Sequence, residues 1–307
     1  DPCSVSHCTL MHCVRSDHVT RNSGATAPHG FTVSDARGVE SAPLRTIPDQ
    51  GKAIMNYLVT GATGFIGTAL VQALSARGFE VVATDRYQPV SPLPAHRFLH
   101  GDIRDEGLVT TLTEGVDVVF HLAALPSIAR ASWEAYRAVN AEGTTLLAET
   151  ARRAGVRRFV HLSSSTVYGI PSRCPVREDA PLQPGCHYSR SKLMAEEAVI
   201  ASAEQGLSAV IIRPRVVVGR GRAGIFALLF TLLRLNLPVP LVGAGRNLFQ
   251  FTAIDDLIDA CELAAKAESE ALAIYNIGCD VTQPLAQELK ALVSHARSRR
   301  RVPPDQR

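Results

Sequence analysis

The segment 60–67, Thr-Gly-Ala-Thr-Gly-Phe-Ile-Gly, constrains the fold of this chain more than any other feature. The apolar run 57–59 before it is typical of a buried parallel strand, and the apolar residues after it are typical of a helix. In this setting Gly61 permits a tight turn, Gly64 lets backbone amides approach a pyrophosphate, and Gly67 lets the helix pack closely on the strand. The motif therefore predicts a dinucleotide cradle at the N-terminus of the helix, where the helix dipole favours negative charge.

Strand-like and helix-like runs alternate from Met55 onward, which predicts an α/β fold with a doubly wound parallel sheet of the Rossmann type. Beyond residue 215 the alternation breaks down, so we expect a smaller C-terminal substrate lobe at 216–296, truncated before its end. Residues 1–54 lack the apolar side chains that a core needs and are expected to be a disordered or spurious N-terminal extension. The dinucleotide-binding domain is expected at 55–215 and an irregular basic tail at 297–307. Strands are predicted at 57–60, 80–84, 97–100, 116–122, 158–163 and 209–213, and the predicted helices include 133–154 and 188–204.

The charge distribution argues against a nucleic-acid partner. The chain carries a net charge of +3, but the tail 297–307 holds five arginines and one aspartate, so the rest of the chain is close to neutral. The apolar run 225–235 is shorter than the roughly 20 residues that span a bilayer, and no secretory pattern opens the chain. The spacing of Cys3, Cys8 and Cys13 matches no usual zinc site. We therefore expect a cytoplasmic protein with no metal and no membrane partner.

Asp85 ends the second predicted strand, 18 positions after Gly67. An acidic residue near this offset accepts a hydrogen bond from the adenosine ribose 2′-hydroxyl and repels a 2′-phosphate, so the sequence favours NAD over NADP. Arg86 follows directly and could bind that phosphate instead, which keeps NADP as the alternative.

Tyr188 and Lys192 lie four positions apart on a predicted helix and therefore share one face of it. A nearby ammonium group favours the phenolate form of a tyrosine, so Tyr188 is a candidate acid or base near neutral pH. Lys192 could also hold the nicotinamide ribose. The serines at 163–165, after the preceding predicted strand, offer a hydroxyl that could polarise a substrate carbonyl or alcohol.

Several further motifs follow in a fixed order along the chain. The ordered set resembles the extended short-chain dehydrogenase/reductase family, and within it the NAD-dependent epimerase/dehydratase branch, over about 55–292. Besides the residues above, the resemblance rests on Gly101-Asp102-Ile103-Arg104-Asp105, His121-Leu122-Ala123-Ala124, Asn140 ahead of Gly143-Thr144, the segment 163–169 and Arg213-Pro214.

The resemblance implies roles for individual residues. Ser164, which stands three positions before Val167, would form the catalytic group with Tyr188 and Lys192, with Ser165 as the reserve candidate. Pairing of two helices into a homodimer is also implied. The cofactor-binding residues implied by the motifs and the resemblance together are Gly61, Thr63, Gly64, Phe65, Ile66, Gly67, Asp85, Arg86, Asp102, Ile103, Leu122, Ala123, Ala124, Asn140, Tyr188 and Lys192.

Two departures from the family pattern concern the substrate. Val216 stands where many members that act on nucleotide sugars have Asn, and Phe249 stands where they have Arg. Both changes remove polar groups that would hold a substrate diphosphate, although Arg220, Arg222 and Arg246 could substitute.

Three functions are therefore open. The first is an NAD-dependent epimerase or dehydratase that moves a hydride between NAD and a sugar-like, nucleotide-linked alcohol, with Tyr188 as acid and base. The second is a dehydrogenase or reductase of a hydrophobic alcohol or carbonyl, as the hydroxysteroid and flavonol relatives are. The third is a non-catalytic NAD-binding sensor or scaffold.

Overall fold

The protein is described from a computed structural model. The description covers residues 55–219, 231–232, 235, 237, 245–246, 248–267, 271–279 and 282–299, without the side chains of 296–299. The predicted N-terminal extension, most of the basic tail and most of the apolar run 225–235 lie outside the described residues.

A parallel sheet of seven strands, in the order β10-β6-β5-β4-β1-β2-β3, forms the centre of the described part of the chain. The strands are β1 (Asn56–Thr60), β2 (Glu80–Asp85), β3 (Arg97–His100), β4 (Val118–His121), β5 (Arg158–Leu162), β6 (Ala209–Pro214), β7 (Val216–Val218), β8 (Leu248–Phe249), β9 (Phe251–Ala253), β10 (Leu272–Ile277) and β11 (Gln283–Pro284). The helices are α1 (Phe65–Ala76), α2 (Glu106–Thr113), α3 (Trp133–Tyr136), α4 (Gly143–Arg153), α5 (His187–Glu204), α6 (Ile254–Lys266) and α7 (Leu285–Arg299).

This order confirms the predicted doubly wound sheet. The chain runs outward from β1 to β3 and then returns to pair β4 with the other side of β1. The direction of winding reverses between β1 and β4, and in open parallel sheets this switch point is where a crevice opens at the carboxyl ends of the strands. The glycine cradle follows β1 and therefore lies at that crevice.

Apolar layers cover both faces of the sheet, which explains why its strands read as continuous hydrophobic runs. In β1, Tyr57 and Val59 face one layer, which contains residues of α1 and α6. Leu58 faces the opposite layer, with residues of α2, α4 and α5. All three side chains are fully buried or nearly so.

The chain returns to the sheet after residue 216. β10 pairs in parallel with β6, and α6 packs its buried side chains against the apolar layer that also contacts α1. Part of the segment that was expected to form a substrate lobe therefore completes the sheet. Two short pairs lie outside it, β7 with β9 and β8 with β11.

The long helix predicted at 133–154 is interrupted. A π-helical segment, Arg137–Glu142, separates α3 from α4. Such one-turn insertions are frequent at functional sites, and this one carries Asn140. No helix in the described ranges is long and apolar enough to span a bilayer.

Candidate active site

The turn between β1 and α1 has no room for a side chain at Gly61 or Gly67. Gly61 has a φ of +69°, and a Cβ there would lie 2.7 Å from the backbone nitrogen of Ala123. A Cβ on Gly67 would lie 2.1 Å from the carbonyl oxygen of Gly61. Gly64 is the N-cap of α1 and offers no side chain to the amides of the first turn. The cradle therefore fits a pyrophosphate, which approaches the backbone closely and accepts from a helix N-terminus.

Replacement of Gly67 by Ala is expected to abolish dinucleotide binding, because the new methyl group would force the helix away from the turn. Isothermal titration calorimetry with NAD measures the effect. Gly107→Ala is the matched control, since its Cβ would contact the Asp105 carboxylate at an ordinary 3.4 Å. Equal affinity of the two variants for NAD would contradict the assignment of the cradle.

Asp85 is fixed at the edge of the cradle by two backbone amides. Its Oδ2 accepts from Thr63 N and its Oδ1 accepts from Tyr87 N, both at 3.1 Å. Each carboxylate oxygen keeps a further lone pair for a ligand hydroxyl. Arg86 is exposed, and its guanidinium carbon lies 5.1 Å from the centre of the Tyr87 ring. Asp85 thus contacts the cradle directly, whereas Arg86 is held by Tyr87.

The next acidic candidate, Asp102, is engaged by a neighbour. Arg104 donates through Nε and Nη2 to the two carboxylate oxygens, at 2.9 and 2.7 Å. These hydrogen bonds lower the pKa of Asp102 below its ordinary value. Ile103 is buried, and its Cδ1 would lie 2.9 Å from a Cβ on Gly143. Ile103 thus packs against the start of α4, where the backbone comes close.

Asn140 uses its side chain inside the protein. Its Oδ1 accepts from Leu125 N at 2.7 Å, and its Nδ2 donates to Leu125 O and Ser191 Oγ at 3.1 and 2.9 Å. Ser191 Oγ in turn donates to the Tyr188 carbonyl oxygen at 2.8 Å. Asn140 therefore ties the segment after β4, which carries Leu122, Ala123 and Ala124, to the first turns of α5.

Tyr188 and Lys192 lie one turn apart near the start of α5. The Tyr188 ring is half-buried and lies edge-on to Tyr136, with ring centres 6.1 Å apart. Lys192 is buried, and its Nζ donates to Leu162 O at 2.7 Å. Burial lowers the pKa of Lys192 to about 8, because the desolvated ammonium is disfavoured, although Glu196 opposes the change.

The three serines after β5 have different environments. Ser163 is buried and donates to Glu196, and buried Ser165 accepts from Arg215 Nη1 at 3.4 Å. Ser164 is partly exposed, and its Oγ accepts from Thr166 N and Oγ1 at 3.3 and 2.9 Å. These two contacts do not use the hydroxyl proton of Ser164. This environment is compatible with Ser164 as the catalytic serine, and that role stays a prediction.

The model of the NAD dependent epimerase/dehydratase family matches residues 57–278, which is most of the chain. The chain is an enzyme of this family.

Individual proteins that are similar to the chain agree with this family assignment. The chain is 37% identical over 265 residues to sterol demethylase protein B of Methylococcus capsulatus, covering 81% of this chain and 78% of that protein. It is 35% identical over 226 residues to a UDP-glucose 4-epimerase of Mycolicibacterium smegmatis, covering 67% and 72%. The structure of DesIV, a dTDP-glucose 4,6-dehydratase from Streptomyces venezuelae with NAD bound, superposes with a TM-score of 0.70 at 30% identity over 78% of this chain and 80% of that one.

Sequence reasoning missed a buried ion pair behind the serines of this epimerase/dehydratase site. Glu196 of α5 accepts from Arg213 Nε and Nη2 of β6, at 3.0 and 2.6 Å, and both side chains are almost fully buried. Arg213 Nη1 also donates to Tyr168 Oη at 2.7 Å, and Tyr168 Oη donates to Asn276 Oδ1 at 2.8 Å. The network holds the serine turn against β6 and β10. The Arg-Pro motif at 213–214 was the available signal, but it did not reveal the partner.

Two buried histidines were also missed as part of the site. His121 ends β4, His161 lies in β5, and their ring centres are 5.3 Å apart. The available signal was a histidine near the carboxyl end of each of two strands. Groups of three or more possible metal ligands are absent from the described part of the chain.

Proposed function

We propose that this chain is an NAD-dependent epimerase/dehydratase-type oxidoreductase that acts on a sugar-like, nucleotide-linked alcohol, with Tyr188 as acid and base. The observation that carries the proposal is the position of half-buried Tyr188 one helical turn from the buried cation Lys192. Ser164, which keeps its proton as a donor, follows the strand whose Leu162 carbonyl binds Lys192.

The chain's own residues would hold the cofactor. The first-turn amides at 65–67 would bind the pyrophosphate, Asp85 would bind the adenosine ribose, and Lys192 would bind the nicotinamide ribose. The adenine and nicotinamide ends of the dinucleotide would be lined by Asp102, Ile103 and the segment after β4. When bound, NAD supplies the acceptor for a hydride from the carbon that bears the substrate hydroxyl.

Tyr188 would remove the proton from that hydroxyl. A phenol ordinarily keeps its proton to about pH 10, and the positive charge of Lys192 favours the phenolate. Ser164 would donate a hydrogen bond to the same substrate oxygen and fix its position. In the reverse direction Tyr188 returns the proton, so one residue serves as base and acid.

The choice between NAD and NADP would depend on the charge of Asp85. In the Asp85→Asn variant the affinity for NADP should rise relative to NAD by about tenfold or more, because the repulsion of the 2′-phosphate is lost while one accepting oxygen remains. Calorimetric titration of both cofactors into the wild type and the variant measures the ratio. An unchanged ratio would assign the discrimination to another residue.

The nucleotide-linked substrate is supported by the UDP-glucose epimerase and the dTDP-glucose dehydratase among the relatives. A hydrophobic alcohol is the second candidate, and Phe249 favours it. This side chain is only 7% exposed and its ring centre lies 4.9 Å from that of Phe251, so an apolar pair occupies the position where many members that act on nucleotide sugars have Arg. The similarity to sterol demethylase protein B points in the same direction.

Thermal-shift measurements separate the two candidates. With saturating NAD present, we expect UDP-glucose or dTDP-glucose to raise the melting temperature of the protein further. A rise with a sterol and none with a nucleotide sugar would favour the second candidate. Phe249→Arg provides the internal comparison, because an added cation should strengthen the response to a nucleotide sugar if a diphosphate lies nearby.

A further inference from the structure

The imidazole of His161 contacts the ammonium group of Lys192. It is fully buried in β5, and its Nε2 lies 3.5 Å from Lys192 Nζ, at the long end of hydrogen-bond range. Within the described residues its Nδ1 has no hydrogen-bond partner. A buried imidazole with an unused nitrogen destabilises the folded protein, so a compensating role for His161 is expected.

His121 cannot supply a partner, because both of its nitrogens are used. Ala123 N donates to Thr60 Oγ1 at 3.2 Å, which leaves the Thr60 proton for His121 Nδ1 at 2.8 Å. Thr144 Oγ1 donates to Asn140 O at 2.6 Å, so it accepts from His121 Nε2 at 2.8 Å. This pattern assigns His121 a neutral ring with its proton on Nε2. Burial, together with the charge of Lys192, lowers the pKa of His121 to about 3, in agreement.

We propose that His161 is a positioning residue for Lys192: its Nε2 accepts from the ammonium group and, together with the Leu162 carbonyl, fixes the lysine head at the carboxyl edge of β5. The proposal deepens the proposed function, since it concerns the same Lys192.

The donor count shows what this arrangement does. An ammonium group has three protons. The Leu162 carbonyl takes one and His161 Nε2 takes a second, so the third is left for Tyr188 or a ribose hydroxyl. The acceptor must stay neutral for this to hold, and burial lowers the pKa of His161 well below its ordinary value.

Several titratable groups of the described residues lie near the pair. Glu196 on α5 raises the pKa of Lys192 and is itself paired with Arg213. Tyr188 lies one turn away on the same helix, and His121 on β4 is neutral. Loss of the His161 acceptor would leave the buried ammonium with one fewer partner and therefore favour neutral Lys192.

The test is a pH titration of the Lys192 side chain by NMR. The chain has four lysines, so a protein labelled with 13C at lysine Cε gives four signals, and the one missing from Lys192→Met is assigned to Lys192. We expect the His161→Phe variant, which keeps a ring but has no acceptor, to lower the pKa of Lys192 by about one pH unit. His161→Gln, whose amide oxygen can accept near the position of Nε2, should restore at least half of the shift. A pKa of Lys192 that is the same in wild type and His161→Phe would overturn the proposal.

Activity gives a second readout. In His161→Phe the alkaline decline of kcat should move to lower pH by the same amount, and it should move back in His161→Gln. If His161→Phe fails to fold, the pKa of Lys192 is measured in His161→Ala and His161→Gln instead. The NMR experiment uses no substrate and no cofactor, so failure of the proposed function would appear as absent turnover with the titration shift intact.

Discussion

Replacement of Tyr188 by Phe is expected to reduce turnover by about 10²–10⁴-fold and to leave NAD binding and the fold unchanged. The variant keeps the ring that packs edge-on against Tyr136 and loses the hydroxyl that would exchange the proton. Initial rates and calorimetric NAD affinity, measured on the same preparation, separate chemistry from binding.

Tyr57→Phe is the matched control for this variant. It also removes a phenol hydroxyl, but Tyr57 lies near the amino end of β1, away from the carboxyl edge of the sheet, and its hydroxyl contacts Met55 Sδ at 3.8 Å. Its turnover should match the wild type. Full activity in Tyr188→Phe would contradict the mechanism, and loss of NAD binding along with activity would indicate damage to the site rather than loss of a proton carrier.

Replacement of Lys192 by Met is expected to abolish activity and at the same time to stabilise the protein near pH 7. Burial lowers the pKa of Lys192 from its ordinary value of 10.5 to about 8. This difference of about 2.5 corresponds to about 3 kcal/mol of destabilisation when the lysine is charged. Met fills a similar volume without a charge, but the Leu162 carbonyl and His161 Nε2 then lose their common donor. A gain of about 1–2 kcal/mol in the free energy of unfolding is therefore expected.

The sign of the pH dependence follows from the proton count. Below pH 8 the lysine is protonated in both folded and unfolded states, and the folded state carries the full penalty. Between pH 8 and 10.5 the unfolded chain binds more protons than the folded one, so the stability of the wild type rises with pH. The advantage of Lys192→Met should therefore shrink across this window and disappear above it.

Chemical denaturation at pH 7 and at pH 10.5 measures the two differences. Lys266→Met is the control, because Lys266 is a partly exposed residue paired with Glu262 and should change stability by less than about 1 kcal/mol. A Lys192→Met variant that is less stable than the wild type at pH 7 would show that the buried ammonium is well compensated, contrary to the account.

Local sequence patterns were sufficient for the parts of the fold that depend on neighbours along the chain. The glycine turn, the apolar strands and the Tyr188–Lys192 spacing each depend on residues within one or two elements. In the structure the glycine turn follows β1 and Lys192 contacts the end of β5, so both lie at the carboxyl edge of the sheet. The return of β10 was not anticipated, because its pairing with β6 joins residues about 60 positions apart, after a stretch in which the sequence pattern of alternating strands and helices breaks down. The π-helical insertion at 137–142 leaves the apolar period nearly unchanged and so gives little local signal.

The polar contacts inside the site depend on tertiary structure. The His161–Lys192 contact spans 31 positions, and that between Asn140 and Ser191 spans 51. Sequence reasoning assigned Asn140 to the cofactor, and in the structure its amide holds the segment after β4 to α5. That cofactor contact stays a prediction, as do the roles of the other site residues. The substrate is the least determined, since the residues 220–230 and most of 233–247 lie outside the described ranges.

The most direct test of the central claim is conversion of a nucleotide sugar by the purified protein in the presence of NAD. UDP-glucose and dTDP-glucose are incubated with the wild type and with Tyr188→Phe, and the products are separated by anion-exchange chromatography and identified by NMR. The account predicts an epimerised or dehydrated nucleotide sugar with the wild type and none with Tyr188→Phe. A protein that binds NAD tightly, converts neither sugar and instead oxidises a sterol alcohol would contradict it.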